Sequence, residues 1–360
     1  MRADGAIHRC GSTAQVRATG SETPPVHPIL ESSARRRLGV FTVADARRAG
    51  YRPDEIRSAV SSRRWYRLRR GTYIETSAWL SLAEDPRGRH LVECVAVLVA
   101  LGPGPIVSHS SAARLHRLVL PRGIDDDVRL TQADEWRQGR GYRIAAAALP
   151  AEDVVAAAPF GVTGVARTLV DCAREWSLGD AVVAIDAALH SGQVGRADLR
   201  ATLLTQTHWL GIGEAARALS SADGRAESPL ESRGRLVLQS AGLPSPELQV
   251  ELHGPRGFVA RVDAWYDDAA IALEFDGRVK YIDPRPGRTP GDVLWREKRR
   301  EDLIRELDVR VVRIAQEDLD APQPLVGRIA GLLATPLEGP RRFVVVRRPE
   351  PGSDSADAVA

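Results

Sequence analysis

Residues 261–281 read RVDAWYDDAAIALEFDGRVKY, and three carboxylates, Asp263, Glu274 and Asp276, stand there among residues of buried type. The spacing predicts two strands, FVARVDAW and AIALEFDG, joined by a hairpin turn. Alternation puts Ile271, Leu273 and Phe275 on one face and Glu274 and Asp276 on the other. A two-residue turn at Asp267–Asp268 pairs Trp265 with Ala270 and Asp263 with Ala272. All three carboxylates then emerge together, with Glu274 diagonal to Asp263 at roughly 7–8 Å. A three-residue loop instead sends Asp263 to the opposite face. Grouped carboxylates repel one another unless a cation lies between them. A hard divalent ion with oxygen ligands, Mg2+ or Mn2+, is the usual solution. Such an ion activates water and steadies charge developing on a phosphodiester. The competing expectation is an exposed hairpin whose acids face water.

Charge nearby supports the first expectation. Of 50 basic residues only two are lysine, Lys280 and Lys298, and both lie shortly downstream of the carboxylates. Arginine does not replace lysine where a compact point charge is needed. A GC-rich coding bias that spares two lysines by chance is the alternative. Glu231, in SPLE, completes a capping box with Ser228 as N-cap and Pro229 at the first helical position. It is also a candidate to approach the metal. Glu297 and Lys298, in the helical run VLWREKRREDLIREL, either reach the site or form surface ion pairs such as Lys298 with Asp302.

A second chemistry lies at the N-terminal end. Pro28–Arg37, VADARRAG behind an N-cap at Thr42, and PDEIRSAVSSR behind Pro53 read as three short helices. RWYRLRRGTYI reads as a hairpin turning at Arg70–Gly71. Together these predict a winged helix-turn-helix. Its basic wing offers Arg63, Arg64, Arg67, Arg69 and Arg70, and the preceding helix offers Arg57 and Ser61. Arg67 and Arg69 are expected on one face with Trp65, with Tyr66 and Leu68 packing inward. Clustered arginine is what phosphate binding needs, although a solvated basic edge gives the same composition.

GVFTVADARRAGYRPDEIRSAVSSRRWYRLRRGTYI resembles the N-terminal winged-helix domain of AbiEi-type antitoxins. The similarity extends more weakly through VSHSSAARLHRL and VTGVARTLVDCA. It implies a transcriptional regulator or antitoxin that binds DNA, with a nucleotidyltransferase-like toxin system as a further partner. Asp263, ten intervening residues and then EFDG resemble the PD-(D/E)XK nuclease core, nearest its very-short-patch-repair-like branch. That resemblance implies that Asp263 and Glu274 hold metal and that Asp276, Lys280, Glu231 and Lys298 assist catalysis. The usual lysine two residues after the glutamate is Asp276 here.

The expected fold class is therefore α+β / α/β multidomain. An extension without periodicity (1–26) precedes the winged helix-turn-helix (27–76) and a mixed α/β middle domain (77–225). A restriction-endonuclease-like α/β domain (226–322) and a C-terminal segment with a loose tail (323–360) follow. Val26 is an alternative candidate start, if read from a GTG codon. A net charge of +3 argues for no partner by itself. Three scattered cysteines favour a reducing cytoplasm, and the most apolar window, 91–102, is too short to span a bilayer. His109, Ser110 and Ser111 suggest a nucleophile only weakly; capping or packing is the expected role. Two functions remain: a metal-dependent DNA nuclease with a DNA-binding arm, or a non-enzymatic antitoxin-like repressor whose third domain is a degenerate binding module.

Overall fold

The computed structural model describes residues 27–157, 159–276, 299–300 and 302–350. Expectations for residues 1–26, Lys280, Glu297, Lys298 and the tail beyond 350 lie outside these residues.

The first unit has the element order of a winged helix-turn-helix: α1 (Pro28–Arg35), β1 (Phe41–Thr42), α2 (Val43–Arg48), α3 (Pro53–Ser61), β2 (Trp65–Arg69) and β3 (Thr72–Glu75). The strands form an antiparallel sheet in the order β1-β3-β2. Thr42 starts α2 with a capping box: its hydroxyl accepts the Asp45 N–H at 3.1 Å and Asp45 accepts the Thr42 N–H at 2.9 Å. Leu30, Phe41, Ala46, Ile56, Ala59, Trp65 and Tyr73 make the core. Trp65 meets Phe41 and Tyr51 edge-on, at 4.8 and 5.1 Å between ring centroids.

The sidedness expected of the wing is corrected here. Trp65 is buried, whereas Tyr66 is exposed and stacks on Trp79. The aromatic cluster beneath α3 recruits the larger indole, and a register shift between Arg67 and Arg69 breaks the simple alternation.

α4 (Thr76–Ser81) and α5 (Pro86–Leu101) lead to the second unit. It contains β4 (Ile106–Val107), α6 (His109–Leu115), β5 (Val128–Gln132), β6 (Arg137–Gly139), β7 (Tyr142–Ala146), β8 (Val154–Ala157) and β9 (Phe160–Thr163). These strands form a mixed sheet in the order β6-β7-β5-β4-β9-β8. α7 (Val165–Ala173), α8 (Leu178–His190), α9 (Arg196–Thr205) and α10 (Ile212–Ser221) then pack around Leu169, Val182, Ile185, Leu189 and Leu199.

The third unit begins with α11 (Pro229–Ser240) and continues through β10 (Glu247–Gly254), β11 (Gly257–Tyr266) and β12 (Ile271–Phe275). β13 (Arg310–Ile314), α12 (Gln316–Asp320), α13 (Gln323–Leu333) and β14 (Val344–Val346) complete it. The sheet order is β13-β12-β11-β10-β14, with β12 and β13 parallel and the other pairs antiparallel. Residues 323–346, expected as a separate segment, belong to this unit. β14 pairs with β10, Leu325 and Ile329 enter one apolar layer, and Phe343 packs edge-on against Trp265.

Apolar layers cover both faces of this sheet. Ile271, Leu273 and Phe275 join Leu238, Leu248, Val312 and Ile314 on one side. Ala270, Ala272 and Trp265 join Ile304, Leu307, Val309 and Phe343 on the other. The approach of α11 to the sheet is close enough that a Cβ added at Gly234 would overlap the Phe275 ring. Gly234→Ala should therefore cost about 1–3 kcal/mol of stability in denaturant unfolding, the usual range for core overpacking. Phe275→Leu in the same chain should recover part of the loss.

Candidate functional site

The residues singled out in the sequence lie in two places. In the first, α3 buries Ile56 and Ala59 and leaves Arg57, Ser58 and Ser61 exposed. Arg63 follows at φ +58°, in the left-handed turn that redirects the chain into the wing. Arg63, Arg67 and Arg70 are exposed; Arg64 is half-buried, its guanidinium 5.7 Å from the Trp65 ring centre. Six of the seven predicted DNA-contact residues thus line one helix and its adjoining hairpin.

Arg69 is the exception. Its guanidinium turns away from the wing surface and donates to the carbonyls of Arg140 at 2.7 Å and Gly141 at 3.0 Å. It also lies 5.5 Å from the Tyr142 ring centre. The predicted DNA contact is replaced by a joint between the wing and the second unit. Burial pulls its pKa down, and nearby Glu93 opposes that shift.

In the second, within the third unit, the β11–β12 register places Ala264 opposite Leu273, Trp265 opposite Ala272 and Tyr266 opposite Ile271. The connection is longer than the expected two residues. Continued one step, the register sets Asp263 directly opposite Glu274 rather than diagonal to it. Trp265 and Ala272, counted with the carboxylates by alternation, lie in the second apolar layer, so this face is not open to water. Glu274 is accordingly buried, and Asp263 and Asp276 are half-buried.

Each carboxylate has partners. Asp263 Oδ2 accepts the Phe275 N–H at 2.8 Å, where the strand ladder has ended. Glu274 Oε1 accepts from Arg300 at 2.7 Å. The Asp276 backbone N–H continues onto the Ile314 carbonyl at 2.9 Å. Glu231 sits at the start of α11, where the Ser228 hydroxyl accepts its N–H at 3.2 Å. It takes the Glu227 N–H at 2.9 Å and the Ser228 hydroxyl at 2.9 Å, while Gln249 Nε2 donates to it at 3.0 Å. Burial raises the Glu231 pKa, and Asp263 raises it further by charge repulsion.

Two features here were not read from the sequence. Gln249 faces Asp263 across β10–β11 and has φ +53°, a conformation that costs a non-glycine residue about 1–2 kcal/mol. There the sidedness of both strands changes: Leu248 and Ala264 belong to the first apolar layer, Val250 and Val262 to the second. No glycine or proline marks this kink. The other is Arg300, whose neighbours in sequence suggest only a charged helix surface. Among the described residues, no group of three or more His, Cys, Asp or Glu side chains is placed to hold a metal ion.

The His–Ser segment of the second unit is interior structure. Ser108 Oγ and His109 Nδ1 lie 2.8 Å apart, and Thr131 donates to Ser108 at 2.8 Å. His109 Nε2 is 3.5 Å from Glu175. Ser111 bridges His90 Nε2 at 2.8 Å and the Arg129 N–H at 2.8 Å. Ser108, Ser111 and both rings are buried, so no substrate reaches either serine.

Residues 28–76 match the family model described as a transcriptional regulator, AbiEi antitoxin. Two Mycobacterium tuberculosis relatives, the uncharacterized proteins MT2308 (strain CDC 1551 / Oshkosh) and Rv2248 (strain ATCC 25618 / H37Rv), are each 37% identical over 169 residues. The match spans 47% of this chain and 60% of each relative, so the chain covers about three fifths of their length. The crystal structure of the RV2827C protein from Mycobacterium tuberculosis aligns with a TM-score of 0.35 at 16% identity, over 57% of this chain and 78% of that one. Among the described residues, no helix is long and apolar enough to cross a membrane.

Burial, aided by the nearby Arg114 charge, lowers the His90 pKa from 6.5 to about 4. A histidine whose folded pKa is depressed favours the native state above its unfolded pKa, and that contribution is lost as pH falls towards the folded value. Stability should therefore drop between about pH 6.5 and 4. His90→Gln, which keeps a polar partner for Ser111, should flatten that part of a denaturant-midpoint profile against pH.

Proposed function

We propose that this protein is a DNA-binding transcriptional regulator of the antitoxin type, with the winged helix-turn-helix as its reading head. The exposed row Arg57, Ser58 and Ser61 on α3, continued by Arg63, Arg67 and Arg70 on the wing, carries this reading. A helix entering the major groove needs short or basic side chains at its surface, and a flanking hairpin needs cations to fix register on the phosphates. The family match over the same residues supports it. A nucleotidyltransferase-like toxin encoded nearby fits the antitoxin part of the reading.

Binding to a duplex taken from upstream of the gene, titrated with salt, tests this. Arg57→Ala and Arg67→Ala should each lower the slope of log affinity against log salt by about 0.9, the value for one neutralised phosphate. Unchanged slopes for both would remove the winged helix from DNA recognition.

A second reading, metal-dependent phosphodiester hydrolysis of the PD-(D/E)XK kind, is favoured by one observation: Asp263 opposite Glu274, with Glu231 close enough to feel the Asp263 charge. The order α11, β10, β11, β12 and then a crossover to parallel β13 suits such a fold. Asp263 and Glu274 would hold Mg2+ or Mn2+, which would supply an activated water. Arg300 already neutralises Glu274, so an ion bound there has to share or displace that guanidinium. On this reading plasmid DNA should be nicked with Mg2+ or Mn2+, and Asp263→Ala should abolish the nicking. Intact plasmid in both metals would leave the third unit as a non-enzymatic module.

A further inference from the structure

The hairpin formed by β6 and β7 adjoins the wing. Its turn at Arg140–Gly141 accepts both hydrogen bonds of the Arg69 guanidinium, and Arg69 stands next to the wing turn at Arg70–Gly71. The joint is built in layers. A Cβ at Gly139 would overlap the Tyr142 ring, so only glycine lets that ring lie down across the hairpin. Tyr142 in turn underlies the Arg69 guanidinium at 5.5 Å.

Like the wing, this second hairpin exposes arginines and an aromatic ring, and unlike the wing it also carries the acids Asp134 and Glu135. Arg137, Gln138 and Arg140 are exposed, and Trp136 is 72% exposed at the start of the strand. Among the described residues, Arg137 has a long, exposed pairing with Glu135 at 3.6 Å. The neighbouring acidic run is largely engaged: Arg143 pairs with Asp125 and Asp127, and Arg114 pairs with Asp126. Cations at the tip are therefore left facing solvent beside the cations of the wing.

We infer that the β6–β7 hairpin is a second DNA-contacting element, with Arg137 and Arg140 on the phosphate backbone next to the segment held by the wing. Trp136 packs against the sugar–phosphate edge. The partner is duplex DNA because the surface combines exposed guanidinium groups with one aromatic side chain and is tied to the wing through Arg69. Arg69 sets the spacing of the two hairpins and makes no DNA contact itself. This inference rests on the DNA-binding reading above.

The test uses the full chain and a duplex of about three helical turns, with affinity measured across a salt series. Arg137→Ala with Arg140→Ala should lower the slope by about 1.8, at about 0.9 for each phosphate no longer neutralised. The same variant should shorten the hydroxyl-radical footprint at one end. Both positions are exposed, and an unchanged melting temperature confirms the fold. A normal slope and footprint in this variant, with a lowered slope in Arg57→Ala or Arg67→Ala, overturns the second hairpin and leaves the winged-helix reading standing. Normal slopes in all the variants overturn both.

Discussion

The guanidinium of Arg69 ties the wing to the β6–β7 hairpin and so helps to fix how the N-terminal half of the molecule is put together. A winged helix tied to its neighbour only through the chain could swing, and its exposed cations would have no fixed relation to the rest of the protein. The apolar cluster of Val40, Ile74, Val92, Val95 and Ala96 seats the winged-helix sheet on α5, and Arg69 adds two carbonyl acceptors and one aromatic face, an arrangement that suits a planar fork and not a lysine ammonium. Desolvation disfavours its charged form, yet arginine stays protonated in proteins, so the joint holds at any pH the protein meets. Gly139 and Tyr142 are constrained by the same contact. One arginine is thus withdrawn from a basic run so that the others are held in place.

The third unit solves a different electrostatic problem. Opposing carboxylates on neighbouring strands destabilise a sheet unless each is compensated. Asp263 is compensated by a backbone N–H, Glu274 by Arg300 and Glu231 by its own helix start together with Gln249. The left-handed Gln249 and the ended ladder at Asp263 show that local backbone regularity gives way at this cluster. Such departures from regular geometry concentrate at functional positions, and the observed partners serve a binding module as readily as a catalyst.

Much of this is legible in the residues. Thr42, Pro53, the Arg70–Gly71 turn and the SPLE box each name their element start or turn by local chemistry, and the structure places them accordingly. Sidedness and register are what local chemistry misses. Alternation sends Trp65 outward because it ignores which ring the core beneath α3 recruits. It sets Asp263 diagonal to Glu274 because the length of the connection after Tyr266 cannot be read from YDDAA. The inward turn of Arg69 depends on a hairpin about seventy residues downstream, and the Arg300–Glu274 pair on a contact between distant segments. Neither leaves a signal in the surrounding sequence, because an arginine in an arginine-rich stretch looks the same whichever way it faces.

The end of the described chain has a consequence for biosynthesis. β14 closes the outer edge of β10, and Glu350 accepts from Arg196 and from the Gly224 N–H, some 150 and 126 residues upstream. While the ribosome is still making residues before 344, β10 has an unsatisfied edge and the helical layer lacks its carboxylate anchor. Open strand edges are prone to pairing with other chains. The nascent protein therefore passes through a stage at which its N-terminal winged helix-turn-helix is complete while the sheet of the third unit still needs shielding, and maturation of the two ends is separated in time.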